Sequence, residues 1–445
     1  MILAVPLAWL QLTYEKSRLL VAIAGITFAV ILMFMQIGFQ DALFRSAVRL
    51  QSNLIGDVVL ISPQSTNLVG MRNFSRRRLY QTLGIKGVES VSPLYIGLAA
   101  WKIQESTAGQ TRNILVLGAD PDRNVFKLAG LNPDNLAQMR QQDVVLFDRT
   151  SRAEFGPIVA ECGTSNLPTD YSCPNPVYRE VANRRLRVGG LFTLGSSFAA
   201  DGAIITSGTN FLRIFDSRRE GLINVGLIKL EAGVSPYAIM AQIVNLMQGD
   251  QVILTKHSLR VDNQRVRPVA DDSDKVMINK QDLRLEDIAK SQDLAIDDLR
   301  ILTMEGFINF ERTYWQRGTA IGFIFNLGTV MGFIVGIVIV YQILYTDVSD
   351  HLAEYATLKA MGYGNWFLSS VVIQEAFVLS VLGFIPGFAV SMGLYNLTKN
   401  ATRLPIEMTL ERGVQVLILT MIMCVISGAI SLRKVQSADP AEIFG

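Results

Sequence analysis

The sequence predicts a membrane protein, four transmembrane helices with a large α+β domain inserted between the first and second spans. Three observations carry that reading. Hydrophobic residues make up 50% of the chain while charged residues still make up 18%, so a lipid-facing part and a water-facing part share one polypeptide. Four apolar runs reach the roughly 20 residues that a helix needs to cross a hydrocarbon core of about 30 Å. Between the first two runs lie about 275 residues, far too many for a loop without structure of its own.

The elements follow in chain order. Residues 1–18 read as an amphipathic elbow helix lying in the interface, with Leu7, Leu10 and Leu12 beside charges and Trp9 at headgroup depth. The first span, 19–40, opens with "LLVAIAGITFAVILMFMQIGF" and is preceded by Lys16 and Arg18. It is longer than a signal-peptide core and no small-residue cleavage site follows, so it reads as a permanent span. In the inserted domain, 41–316, short β-branched runs recur: "GDVVLIS", "NILVLGA", "DVVLFD", "RLRVGGLF", "GAIIT", "NVGLIKL" and "QVILT". Helix candidates sit between them, notably "SRRRLYQTLG" and "SPYAIMAQIVNLMQ", the latter started by Ser235 and Pro236. Strands with interspersed helices on one face define an α+β domain.

Residues 257–300 form a polar insertion within that domain, read as a flexible surface segment. In "DLRLEDIAKSQDLAIDDLRIL" the Leu and Ile spacing predicts one or two short helices. The second span follows at 317–346, a polar connection at 347–365, and the third span at 366–398, where Pro386 is expected to kink the helix. A short loop at 399–412, the fourth span at 413–432 and a tail at 433–445 complete the chain. Four crossings put both termini on one side. Charge does not say which side: Lys16, Arg18, Lys359, Arg433 and Lys434 flank one face, while Arg45, Arg49, Arg312, Arg317, Lys399, Arg403 and Arg412 flank the other.

Several functions are excluded. A net charge of +2 lacks the basic excess of a nucleic-acid binder. Three cysteines and two histidines are not spaced for a metal site. No phosphate loop, H-E-x-x-H or G-x-S-x-G motif occurs, so the chain reads as non-catalytic and unable to hold ATP by itself. Glu375 is the one ionisable residue inside the apolar runs and reads as bundle-facing or interfacial, so energy is expected from another subunit. Cys162 and Cys173 share a proline-rich loop; a disulfide in an oxidising compartment and two unpaired thiols both stay open.

Two stretches offer candidate sites. In "GTVMGFIVG", Gly328, Gly332 and Gly336 form a ridge of small residues, with Gly322 and Asn326 shortly before it. Such ridges let helices approach closely in lipid, here either within one subunit or across a dimer interface. The second stretch is "DVSDHLAEYATLKAMGYGNW", residues 347 to 366. Asp347 and Ser349 are candidate caps, Asp350 and Glu354 favour the first turns of a helix, Lys359 favours its last turn, and Gly362 with Gly364 stops it. Leu352, Tyr355, Ala356 and Ala360 fall on one face, and the polar face is mainly acidic, which favours a protein partner over anionic lipid.

The order of elements, with "EYATLKAMGY" after the second span, resembles the FtsX/MacB-like permease family of ABC systems (type VII). More closely, "LAWLQLTYEKSRLLVAIAGITFAVILMFMQIGFQDALF", "FSRRRLYQTLG", "VESVSPLY", "FDRTSRAEFGP", "GLFTLGSSFAADG", "GFIVGIVIVYQILYTDVSDHLAEYATLKAMGY" and "DPAEIF" are similar to the DevC-type subunits of cyanobacterial exporters. Two regions depart from that pattern, the Cys162–Cys173 loop and the polar insertion after Thr255.

The resemblance implies a homodimeric inner-membrane permease that binds no cofactor itself. A separate DevA-like ATPase would hold ATP and Mg, and a DevB-like adaptor and a TolC-like outer-membrane channel would complete the exporter. Asp350, His351, Leu352, Glu354, Tyr355, Leu358, Lys359, Met361 and Gly362 would then meet the ATPase. Both termini would be cytoplasmic, and the large domain, with Cys162 and Cys173, periplasmic. The implied function is export of glycolipid or another envelope-destined molecule by transmitted motion. The alternatives are an FtsX/LolC-like permease that activates a cell-wall hydrolase or releases lipoproteins, and a membrane receptor signalling to a cytosolic partner.

Overall fold

The computed structural model describes residues 16–437 apart from 104–109, 165–168, 196, 198–199, 256–265, 270–271 and 403. The elbow-helix reading of 1–15 and the "DPAEIF" tail lie outside the described residues. The chain divides into two compact units, Met1–Leu43 with Thr319–Gly445, and Phe44–Gly318.

In the first unit, four helices are long and apolar enough to cross a membrane: Lys16–Ala47, Ala320–Asp350, Ser369–Thr402 and Leu410–Ser431. Among lipid tails, apolar burial gives helices little reason to associate, so close backbone approach and interhelical hydrogen bonds must do so. Both are present. A methyl group on Gly383 would collide with Ile26, and one on Gly387 would meet Val30 Cγ1 at 2.6 Å, so the first and third spans meet over glycine. The Thr27 hydroxyl donates to the Gly383 carbonyl (3.1 Å), three residues before Pro386. The third helix runs unbroken from Asn365 to Thr402 with Pro386 inside it. Ser427 Oγ donates to the Ile337 carbonyl (2.9 Å), joining the fourth span to the second. Glu375 is fully buried, so it faces the bundle.

The second unit is built on a thirteen-stranded mixed sheet among the described residues. From one edge its order is Val266–Val269, Asp272–Asn279, Gln251–Thr255, Asp293–Ile296, Leu299–Thr303, Val58–Ile61, Val225–Leu230 and Val88–Lys102. It continues through Thr111–Ala119, Ala203–Ser207, Val144–Asp148, Arg184–Phe192 and Val177–Val181. The long strand Val88–Lys102 serves both halves: Leu94 still pairs with Val225, and from Tyr95 onward it pairs with Thr111–Ala119. Trp101 also pairs with Val181, which brings the far edge strand back to this one and curls the second half on itself.

Both faces of the sheet are covered. In "VVLI", Val58 and Leu60 enter one apolar cluster while Val59 and Ile61 enter the other, as side-chain alternation requires. The first cluster is covered partly by the helix Pro236–Leu246, through Ile239, Met240, Ile243 and Val244.

One expectation needs correction. The stretch read as one or two helices folds as a single helix, Leu285–Ser291, followed by the strands Asp293–Ile296 and Leu299–Thr303. Ile296 pairs with Leu299, so Asp297 and Asp298 form a two-residue hairpin turn, with Asp297 at φ +53. Burial decides the matter: Leu294, Ile296, Leu299 and Ile301 fill the core from a sheet position. The segment after Thr255 therefore gives the central sheet four of its strands, Val266–Val269, Asp272–Asn279, Asp293–Ile296 and Leu299–Thr303.

Candidate functional site

The polar connection between the second and third spans begins inside a helix. The helix Ala320–Asp350 runs through Ser349, whose hydroxyl donates to the carbonyl of Tyr345 four residues back (2.6 Å). Asp347 and Ser349 are thus interior residues, and the expected caps are not caps. The reason is continuity: no breaker interrupts the helix before His351. There the chain turns, and His351 is the N-cap of a short helix, Leu352–Ala360, with no side-chain capping bond. Its Nδ1 lies 3.2 Å from Glu354 Oε1.

The other end matches its glycine. Gly362 has φ +94; its N–H donates to the Lys359 carbonyl (3.1 Å) and that of Tyr363 to the Leu358 carbonyl (3.1 Å). This pair of bonds is a Schellman closure, which requires the left-handed conformation that glycine adopts without a Cβ clash. Leu358 packs inward with Phe367 against Val348 and Val372, fixing the short helix to the ends of two spans. Leu352 is half-buried and Lys359 intermediate, while Glu354 is exposed. The side chains of Tyr355, Ala356 and Ala360 lie outside the described residues. Past the helix, Met361, Tyr363 and Trp366 project at 63%, 45% and 88% exposure. Tyr363 and Trp366 were not singled out from the sequence, although an aromatic beside each glycine of "MGYGNW" was there to be read. Asp350 pairs with Arg18 of the first span, which ties this segment back to the start of the chain.

The glycine ridge faces the same first span. A methyl on Gly328 would press on Gln36 at 2.9 Å, one on Gly332 would reach Leu32 at 3.8 Å, and one on Gly336 would collide with Met423 and press on Ala29 at 3.1 Å. Gly322 is buried, and Asn326 Oδ1 accepts from Gln40 Nε2 (2.8 Å). These contacts are all made within the one chain. Gly383 and Gly387, equally close to the first span, repeat the four-residue spacing of the second but as a single pair with Pro386 inside it. At the opposite end of the spans, Arg412 pairs with Asp41 and stands 5.7 Å over the Tyr395 ring.

In the second unit, the helix Met304–Arg317 leads into the second span. Its fully buried Glu311 accepts the N–H of Leu68 (2.7 Å) and the indole N–H of Trp315 (2.8 Å). Burial pushes the Glu311 carboxyl up to about 7, against the pull of those two donors. Asp148 joins two of the quoted motifs: its carboxylate accepts N–H bonds from Thr150 and, across the sheet, from Leu194 (3.1 Å) and Gly195 (2.9 Å). Cys162 and Cys173 are disulfide-bonded, with Cα atoms 4.4 Å apart. No cluster able to hold a metal ion occurs among the described residues.

Comparison with known proteins places the connection within a recognised segment. Residues 326–440 match the FtsX-like permease C-terminal family. The FtsX-like segment thus starts at Asn326, spans the glycine ridge, the short helix and its Schellman closure, and ends beyond the fourth span. No curated protein matches the chain. Among solved structures, the extracellular domain of the noncanonic ABC-type transporter YknZ from Gram-positive bacteria is similar at 12% identity and TM-score 0.29, covering 42% of this chain and 91% of that one. The periplasmic region of MacB from Actinobacillus actinomycetemcomitans is similar at 11% identity and TM-score 0.30, covering 44% and 84%.

Proposed function

We propose that this chain is the DevC-type permease subunit of a tripartite ABC exporter. It takes force from a separate DevA-like ATPase and passes it to a periplasmic domain. The carrying observation is the short helix Leu352–Ala360, closed at Gly362 and seated on two spans, inside the FtsX-like segment. A helix held at both ends moves as one piece when pushed. The acidic Asp350 and Glu354 and the apolar Met361, Tyr363 and Trp366 are the groups offered to the partner. Spans packed over glycine resist independent sliding, which suits them to carry a displacement.

In this reading, ATP and Mg stay on the ATPase, and both termini and the short helix are cytoplasmic. The inner membrane holds a homodimer, while a DevB-like adaptor and a TolC-like channel receive the motion outside. The Cys162–Cys173 bond supports an oxidising location for the large domain. The cargo is a glycolipid or another envelope-destined molecule, taken up outside the spans, because polar groups lining them are few.

The test is to isolate the full chain from its native membranes with its partners and to measure ATP hydrolysis. An ATPase subunit should co-purify, and the double substitution Glu354→Ala with Lys359→Ala should lower its stimulated rate about tenfold, the loss expected when charge-assisted contacts are removed. Membrane insertion should stay normal. Full stimulation by the double variant would refute the assignment of this helix.

A further inference from the structure

Between the start of the first span and the end of the second lies a groove of about 670 Å³, the size of a small-molecule site. It narrows where Gly25 lets the helices touch: a methyl there would meet Ile339 Cγ2 at 2.6 Å. From that contact the lining extends to Arg18 and Thr346, and Leu379 of the third span contributes one wall. The groove is amphiphilic along its length. Val21, Ile343 and Leu379 are apolar, whereas Ser17, Arg18, Gln342 and Thr346 gather at one end. Among the described lining residues, Arg18 carries the one charge, and it is positive. Its guanidinium pairs with Asp350, which does not line the groove; both side chains are 43% exposed.

An apolar slot with a cationic, hydrogen-bonding mouth at the end of two membrane-crossing helices matches one kind of occupant. Basic pockets between transmembrane helices take the phosphate of anionic lipids, and a guanidinium binds phosphate through two parallel N–H bonds. We propose that this groove binds an anionic phospholipid, with a chain along Val21 and Ile343 and its phosphate on Arg18 in place of Asp350. The exchange frees Asp350, the residue immediately before the His351 cap of the short helix, so lipid occupancy and the position of that helix are linked. The inference needs the helices to span a membrane but does not need an ATPase partner.

Native mass spectrometry of the full chain in detergent tests it, with phosphatidylglycerol and phosphatidylcholine of identical chains as probes. The wild type should retain phosphatidylglycerol about tenfold better, and Arg18→Gln should remove that preference while leaving phosphatidylcholine unchanged. Ala24→Trp, which fills the exposed wall of the groove, should lower both. Asp350→Asn should raise phosphatidylglycerol retention, because the competing carboxylate is gone. Equal retention of the two lipids by the wild type, or a preference that survives both Arg18→Gln and Ala24→Trp, would overturn the proposal. So would a photo-crosslinker at Ala24 that captures residues 1–15 or another polypeptide instead of lipid.

Discussion

Ile96 sits where the strand Val88–Lys102 exchanges one neighbour for another, and two side chains complete its backbone bonding. Asn224 Oδ1 accepts the Ile96 N–H (2.8 Å), and Arg218 Nη2 donates to its carbonyl (3.0 Å). Arg218 in turn lies 5.2 Å from the rings of both Phe211 and Phe215, and burial lowers its pKa. Removing either partner leaves a buried backbone group without its bond, so Asn224→Ala should cost about 1–3 kcal/mol. Urea unfolding of the full chain, followed by tryptophan fluorescence, measures that loss. Glu311 gives a pH dependence of definite sign. Its folded pKa, about 7, stands above the ordinary 4.5, so the folded state binds the proton more tightly. That contribution is fully present below the unfolded value and is lost as pH rises through about 7, by at most about 1.4 kcal/mol per unit. Exchange of the Leu68 amide, corrected for its intrinsic rate, should therefore quicken between pH 5 and 7 and level off above. In Glu311→Gln the corrected rate should not vary with pH.

Among the elements, the glycine ridge makes a graded prediction. Gly332→Ala has room, with Leu32 at 3.8 Å, and should be nearly neutral. Gly336→Ala drives a methyl into Met423 and should cost about 1–3 kcal/mol by overpacking, read as a lower melting temperature in detergent. At the short helix, Gly362→Val places a β-branched residue at φ +94 and should unravel the last turn, exposing it to protease. The spans were legible in the sequence because a long uncharged apolar run has one good solution in lipid. The stop at Gly362 was legible because it rests on local backbone geometry. The hairpin at Asp297 was not: the Leu and Ile spacing of 285–302 suits a helix as well as two short strands, and pairing with Val58–Ile61 and Gln251–Thr255 decided between them. The direction of the glycine ridge depended on Leu32 and Ala29, residues of a helix far away in sequence.

At the scale of the whole chain, the proposed function has force enter at the connection after the second span and leave through a domain inserted before it. The second unit is suited to receive motion as a body, since its sheet is covered on both faces and stapled by the Cys162–Cys173 bond. Closing so short a loop contributes on the order of 3 kcal/mol, so reduction should weaken the local fold around Cys162. All of this requires the short helix and the inserted domain to lie on opposite sides of the membrane. Single cysteines at Met361 and at Leu246, both exposed, test that directly with a membrane-impermeant maleimide, because the remaining thiol, Cys424, is buried. The account predicts that Met361→Cys labels only in inverted vesicles and Leu246→Cys only in intact spheroplasts. Labelling of Met361→Cys from outside the cell would contradict it.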